Sequence, residues 1–139
     1  MINDIGRASF FATIPATNHA ETRRFYEQVL GLDVAQEHPA GVQFRTGQSY
    51  LALYKAPVAG TAQHTLGTFE VDDIEAAVKA LRERGVTFEE YDSSQVKTVD
   101  GIADLPGGSK IAWFKDPEGN ILGVIQPSQA TRLTTFPSG

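Results

Sequence analysis

The segment from Ala112 to Val124 reads Ala-Trp-Phe-Lys-Asp-Pro-Glu-Gly-Asn-Ile-Leu-Gly-Val and predicts a β-hairpin. Its centre has the chemistry of a tight turn. The carboxylate of Asp116 can accept hydrogen bonds from the amides that follow it, Pro117 fixes the backbone angle of the first turn position, and Gly119 can adopt a positive φ. β-branched, aromatic and other apolar residues, which suit a half-buried sheet surface, flank the turn on both sides.

Two similar helix starts precede this hairpin, 55 residues apart. Asn18 is the predicted N-cap of the first helix and Asp72 or Asp73 that of the second, and each helix has apolar residues at three- and four-residue spacing. Gly31 and Gly85 are predicted to end the two helices. The repeated order of elements predicts two modules, each built as strand, helix and three strands.

A strand is predicted before the first helix, over residues 8–15. Alternation puts Phe10 and Ile14 on its core face, with Phe11 and Thr13 on the opposite face. The equivalent strand of the second module begins at residue 66.

The predicted organisation is one domain with a module over 8–55, a linker over 56–65, a second module over 66–127 and a tail over 128–139. The second module has an insertion, a predicted long loop from Tyr91 to Ser109. Loops of this length inside a compact domain are usually functional, so this loop is predicted to cover a binding site.

Composition narrows the classes of function. The 139 residues are 41% hydrophobic and 21% charged, with no cysteine and a net charge of −5. Disulfides and thiolate metal sites are excluded, and without a basic cluster neither nucleic acid nor a membrane is an expected partner. No apolar run is long enough to cross a bilayer, and the N-terminus lacks a secretion signal, so a cytoplasmic location is expected.

Three motifs in this order resemble the vicinal oxygen chelate superfamily, which includes glyoxalase I, ring-cleaving dioxygenases, fosfomycin resistance enzymes and bleomycin-binding proteins. They are Arg24-Phe25-Tyr26 with Leu30-Gly31-Leu32, the stretch 69–74, and the hairpin described above. The resemblance implies an α+β fold in which two tandem βαβββ modules form an open, curled, eight-strand mixed sheet around a cleft. It also implies a homodimer.

In the enzymes of that superfamily, four strand positions present His, Gln or Glu to one divalent metal ion. Carried across one at a time, these positions fall on Phe11, Ala52, Leu66 and Gly123. None of these side chains has a lone pair to offer a hard cation. The resemblance therefore implies no metal and no cofactor, and it leaves open whether the protein is an enzyme.

Aromatic surface is predicted where the metal would otherwise stand. Parity puts Tyr50, Ala52 and Tyr54 on one face of their strand, and aromatic walls with a few hydroxyls are common in small-molecule pockets. The predicted ligand-binding residues are Phe11, Thr13, Tyr50, Ala52, Tyr54, Leu66, Thr68, Trp113, Gly123 and Ile125. The predicted function is metal-independent binding of a flat, largely apolar or aromatic organic molecule, such as an antibiotic or another natural product.

Three other functions stay open at this point, and no catalytic residue is assigned. The first is a metal-dependent lyase, isomerase or dioxygenase whose metal ligands are displaced from the usual positions. The second is a metal-free enzyme with His64 or Glu70 as general base. The third is a regulatory or scaffold module.

Overall fold

The structure is a computed structural model that describes residues 5–128. The chain divides into two compact units, Met1–Val58 and Ala59–Gly139. The predicted modules lie one in each unit. Nearly all of the predicted tail, from residue 129 onward, lies outside the described residues.

The first unit contains one helix and a four-stranded sheet in the order β1-β4-β3-β2. Strand β1 is parallel to β4, and the other neighbours are antiparallel. After a short 3₁₀ turn at Ile5–Arg7, the elements are β1 (Ala12–Ala16), α1 (His19–Arg24), β2 (Asp33–His38), β3 (Gly41–Thr46) and β4 (Ser49–Lys55). One face of this sheet is the core, formed by Ile14, Val42, Phe44, Leu51 and Leu53.

Helix α1 begins as predicted and then changes its hydrogen bonding. The Asn18 side chain accepts from the backbone N–H of Glu21, which confirms the N-cap. From Phe25 to Val29 the helix continues in π geometry, and the Leu30 N–H donates to the Phe25 carbonyl five residues earlier. The spacing of the apolar residues predicts an α-helix up to Gly31. A single π-helical turn is rare and is not expected from that spacing.

The second unit repeats this order with one strand added. Its elements are β5 (Thr65–Glu70), α2 (Ile74–Glu83), β6 (Thr98–Val99), β7 (Ile102–Asp104), β8 (Lys110–Lys115) and β9 (Ile121–Gln126). The strands lie in the order β5-β9-β8-β7-β6, and β5 is parallel to β9 as β1 is to β4. The Asp73 side chain caps α2 by accepting from the N–H of Ala76.

The two tandem modules of the predicted α+β fold are confirmed by this matching strand order. The predicted single eight-strand sheet needs correction: within residues 5–128 there are nine strands, in one sheet of four and one of five. The extra strand, β6, comes from the segment predicted as a loop over 91–109. Asp100 and Gly101, with φ of 53° and 83°, join β6 to β7 in a two-residue turn.

The first strand also needs correction, because β1 starts at Ala12 and not at residue 8. Phe10 lies before the strand and is 94% exposed, so it is not a core residue. Alternation fixes which face a side chain takes only inside a paired strand, and Phe10 precedes the first residue that pairs with β4.

The predicted turn between β8 and β9 is confirmed in detail. One carboxylate oxygen of Asp116 accepts from the backbone N–H groups of Glu118 and Asn120, at 2.9 and 3.0 Å. The other accepts from the Asn120 side-chain amide at 2.9 Å. The Asn120 side chain in turn accepts from the N–H of Gly60, which ties part of the predicted linker to this turn.

Candidate functional site

The non-core face of the first sheet has a polar centre and aromatic edges. Thr13, Ala52 and Gln43 form one cross-strand row on β1, β4 and β3. Tyr50 and Tyr54 lie on either side of Ala52 along β4 and are 39% and 38% exposed. The alternation of β4 thus puts both tyrosine rings on the open side of the sheet, as predicted.

Two further features belong to this face. The Arg45 guanidinium lies over the Tyr50 ring, 5.2 Å from its centroid, which is a cation–π contact. A shallow depression of about 100 Å³ is lined by Gln43, Ala52 and Tyr54 among others. Phe11 is 41% exposed and lies just before β1.

The second sheet has an equivalent row on its own non-core face. Thr68, Gly123 and Trp113 lie opposite one another on β5, β9 and β8. Because β5, β9 and β8 correspond to β1, β4 and β3, this row is the counterpart of Thr13, Ala52 and Gln43. The sequence left the orientation of Trp113 open, and its pairing with Gly123 puts it on the same face as Thr68.

A β-bulge changes the prediction for Leu66. Thr65 pairs with Ile121 and Gly67 with Leu122, so Leu66 is an extra residue without a partner in the ladder. Simple alternation puts Leu66 beside Thr68 on the binding face. The bulge breaks the two-residue period, and Thr65 takes the place beside Thr68 on that face instead.

A cavity of about 340 Å³, the Trp113 cavity, opens on this face. Its lining residues are Gln63, His64, Thr65, Tyr91, Ser93, Val96, Trp113 and Ile121. The rings of Tyr91 and Trp113 meet edge to face, with centroids 5.3 Å apart and planes at 85°. Two nearly perpendicular aromatic walls therefore form one corner of the cavity.

Hydrogen bonds hold the segment that carries Tyr91. The Thr98 hydroxyl donates to the Glu90 carboxylate, which also accepts from the Gly101 N–H. The Tyr91 N–H donates to the Thr98 hydroxyl oxygen. The hydrogen bond from Thr98, followed by that from Gly101, lowers the pKa of Glu90 below its ordinary value. The first part of the predicted cover, 91–96, thus forms a wall of the cavity.

The four positions at which the resemblance implies metal ligands do not fit a metal ion. Their side chains hold no donor atom, and a side chain on residue 123 would be in tight contact with Thr68. A β-carbon on residue 123 would lie 3.0 Å from the Thr68 hydroxyl oxygen and 3.3 Å from its methyl carbon. Nowhere in residues 5–128 do three His, Asp or Glu side chains come together as a metal site would require.

The two alternative general bases, His64 and Glu70, lie far apart. His64 comes just before β5 and Glu70 ends it, and six residues amount to roughly 20 Å in an extended strand. His64 does line the Trp113 cavity, and its Nδ1 lies 3.2 Å from the Thr65 carbonyl oxygen. Since a carbonyl only accepts, Nδ1 carries the hydrogen in this contact, and Nε2 of the neutral ring is left as an acceptor.

A larger groove, about 750 Å³, lies between α2 and strands β6 to β8. Most of its lining is charged, with acidic and basic side chains on both walls, and no aromatic residue of the described chain contributes to it. The Trp113 cavity is smaller but combines aromatic walls with a few hydrogen-bonding groups, which is the usual make-up of a ligand site.

The structure distributes the predicted site residues over the two units. Phe11, Thr13, Tyr50, Ala52 and Tyr54 belong to the first, and Thr68, Trp113, Gly123 and Ile125 lie on one face of the second, where Leu66 occupies the bulge. Tyr91, Ser93 and Val96, which line the Trp113 cavity, belong to the segment over 91–109 that is predicted as a cover. Gln63, Thr65 and Ile121 also line the cavity and are not among the predicted ligand-binding residues.

A comparison of the sequence with models of protein families agrees with this fold. The model of the Glyoxalase/Bleomycin resistance protein/Dioxygenase superfamily matches residues 8–124. The chain belongs to this superfamily. The match covers both βαβββ modules and confirms the resemblance found in the sequence.

Several solved structures share the fold. A glyoxalase/bleomycin resistance protein/dioxygenase from Alicyclobacillus acidocaldarius has a TM-score of 0.68 at 15% identity, covering 95% of this chain and 99% of that one. TnmS3, an antibiotic binding protein from Streptomyces sp. CB03234, has a TM-score of 0.63 at 22% identity, covering 88% and 98%. Lactoylglutathione lyase from Agrobacterium tumefaciens has a TM-score of 0.62 at 22% identity, covering 86% and 93%.

These structural similarities concern the fold alone, since a binding protein and a lyase are about equally similar to the chain. No curated protein matches the sequence. Among the described residues, no helix is long and apolar enough to span a membrane. Function within the glyoxalase superfamily has to be argued from the residues of the site.

Proposed function

We propose that this protein binds a flat, largely apolar or aromatic organic molecule, such as an antibiotic or another natural product, without a metal ion and without altering it. The observation that carries the proposal is the corner formed by Trp113 and Tyr91 in a cavity of about 340 Å³. This volume is within the usual range for small-molecule sites.

Ring stacking supplies the main attraction in this account. A planar ligand against Trp113 meets the Tyr91 ring with its edge, and each aromatic pair contributes about 0.5–1.5 kcal/mol beyond the area it buries. The apolar side chains of Ile121 and Val96 add contact area without a polar group to desolvate.

The absence of donor atoms at Phe11, Ala52, Leu66 and Gly123 supports binding without a metal. TnmS3, whose fold is similar, is an antibiotic binding protein, which agrees with a binding role for this chain. A binder also needs no general acid or base, and the proposal assigns none.

Trp113 is the only tryptophan in the chain, so its fluorescence reports directly on the cavity. The test is a titration of the protein with a panel of flat aromatic natural products, read as quenching of tryptophan emission and as a rise in melting temperature. The proposal predicts saturable quenching by at least one compound. It also predicts that Tyr91→Ala weakens that binding, whereas Val99→Ala, on an exposed strand of the opposite face, leaves it unchanged.

His64 gives one observation in favour of a second function, a metal-free enzyme. His64 lines the cavity and its Nδ1 contacts the Thr65 carbonyl oxygen, so Nε2 of the neutral ring can act as a base. Incubation of the bound compound with the protein, followed by mass spectrometry, separates the two functions. A product that forms with the wild type and not with His64→Ala would favour the enzyme, and an unaltered compound favours the binder.

We also propose that the protein is a homodimer and that it acts in the cytoplasm. Both proposals come from the sequence and the superfamily resemblance. Light scattering coupled to size-exclusion chromatography tests the first, and a monomer mass at all concentrations would contradict it. Fractionation of the source cells tests the second.

A further inference from the structure

We propose that the Trp113 cavity selects uncharged, planar ligands whose hydrogen-bonding groups lie along one edge, and that Thr65 is a determinant of this selectivity. The inference rests on the proposed function, because it specifies the chemistry of the ligand bound at the same site.

The polar and apolar parts of the cavity lie on different segments. Trp113 and Ile121, on neighbouring strands, form an apolar surface together with Val96. Three consecutive residues, Gln63 and His64 just before β5 and Thr65 at its start, line another side, and their side chains carry an amide, an imidazole and a hydroxyl. A ligand with one polar edge can turn that edge toward these three residues while its ring packs on Trp113.

When His64 is neutral, no polar group on that side carries a charge. Together the three groups can both donate and accept hydrogen bonds. The amide of Gln63 and the hydroxyl of Thr65 do either, and Nε2 of His64 accepts. A hydroxyl on the ligand fits this set because it also donates and accepts. A carboxylate can only accept, so it cannot use the Nε2 acceptor.

No Asp, Glu, Lys or Arg of the described chain lines the cavity. Lys115 pairs across the strands with Ile121, one of the lining residues. Its ammonium is 3.5 Å from the Glu89 carboxylate. A charged ligand group would lose hydration in the cavity without gaining an ionic partner, which is unfavourable.

The bulge at Leu66 places Thr65 on the open face of the sheet. By pairing Thr65 with Ile121 and Thr68 with Gly123, it puts both threonines on the open face. The methyl carbon of Thr65 lies 3.6 Å from the point that a β-carbon on Gly123 would occupy. Bulges beside functional sites commonly redirect a side chain in this way.

Four naphthalene derivatives test the selectivity, with Trp113 quenching and calorimetry as readouts at neutral pH. They are naphthalene, 2-naphthol, 2-naphthoate and 2-naphthylmethylammonium, which share one ring system and differ in the edge group. We expect 2-naphthol to bind about tenfold more tightly than each of the other three, the factor that one good hydrogen bond supplies.

Thr65→Val removes the hydroxyl and keeps the shape of the side chain. We expect it to remove the tenfold preference for 2-naphthol over naphthalene. Thr87→Val, at an exposed position of the same unit, is the matched control and should change neither affinity. Circular dichroism and melting temperature establish that both variants are folded.

The outcomes separate this inference from the proposed function. Equal or tighter binding of 2-naphthoate or the ammonium compound overturns the selectivity and leaves aromatic binding in place. A preference for 2-naphthol that persists in Thr65→Val overturns the role of Thr65. Absence of saturable quenching by all four compounds contradicts the proposed function and the inference together.

Discussion

The Thr68 side chain covers the bare face of Gly123, with its hydroxyl oxygen 3.0 Å from the point that a β-carbon there would occupy. The two residues pair directly between β5 and β9. A side chain at this position, one of the four at which the superfamily resemblance implies a metal ligand, would therefore have to displace Thr68 slightly, and Thr65 and Trp113 lie beside it.

Gly123→Ala is expected to lower the free energy of unfolding by about 1–3 kcal/mol, the usual cost of overpacking. Because Thr68 is the closest neighbour, Thr68→Ala should relieve the contact. Urea denaturation of the two single variants and the double variant measures the coupling. A Gly123→Ala variant as stable as the wild type would show that the space is open.

Tyr91→Ala is expected to weaken ligand binding about tenfold with little change in stability, because Tyr91 is 36% exposed and contributes mainly a wall of the cavity. Tyr50→Ala and Tyr54→Ala test whether the ligand binds instead at the aromatic face of the first unit. Calorimetric titration of all three variants measures this. Loss of affinity in the Tyr50 and Tyr54 variants alone would move the site to the first unit.

Asp116→Ala is expected to lower the free energy of unfolding by about 2–4 kcal/mol, because it removes the acceptor of three hydrogen bonds at a residue that is 5% exposed. Asp104→Ala is the control: its carboxylate is 83% exposed and pairs with Lys110 at 3.5 Å, so the change should be within about 0.5 kcal/mol. Chemical denaturation compares the two. Equal effects would contradict the structural role of Asp116.

The stability of the segment that carries Tyr91 is expected to depend on pH, because Glu90 titrates there. Its pKa in the folded state is below the ordinary value of 4.5, chiefly because of the hydrogen bond from Thr98. The ionised carboxylate therefore contributes stability that is fully present above 4.5 and is lost as the pH falls through the folded-state pKa. The difference in unfolding free energy between the wild type and Glu90→Gln should shrink in that range. A difference that is independent of pH would contradict this.

Local chemistry in the sequence predicts much of the fold. Asn18, Asp73 and Asp116 act as predicted because each needs only the backbone a few residues away. The repeat of the two modules follows from the same signals. The Asp100-Gly101 turn was also readable, since Asp-Gly between apolar residues is a hairpin signal, but the predicted loop over 91–109 obscured it.

The site itself could be predicted only in part. Alternation gives the faces of Tyr50, Tyr54 and Thr68 inside regular strands. The bulge at Leu66 depends on how β5 pairs with β9, a partner more than fifty residues away, and no residue of β5 signals it alone. The contact between Tyr91 and Trp113 likewise depends on how the insertion folds back over β8.

The central claim is that the Trp113 cavity binds an aromatic molecule without a metal and without turnover. Its most direct test is a fluorescence titration of chelator-treated protein and of protein incubated with Fe, Mn, Ni or Zn. The ligand is then recovered from each sample and its mass is measured by mass spectrometry. We predict the same dissociation constant in all samples and a ligand of unchanged mass. Binding that requires one of the metals, or recovery of a converted product, would contradict the claim.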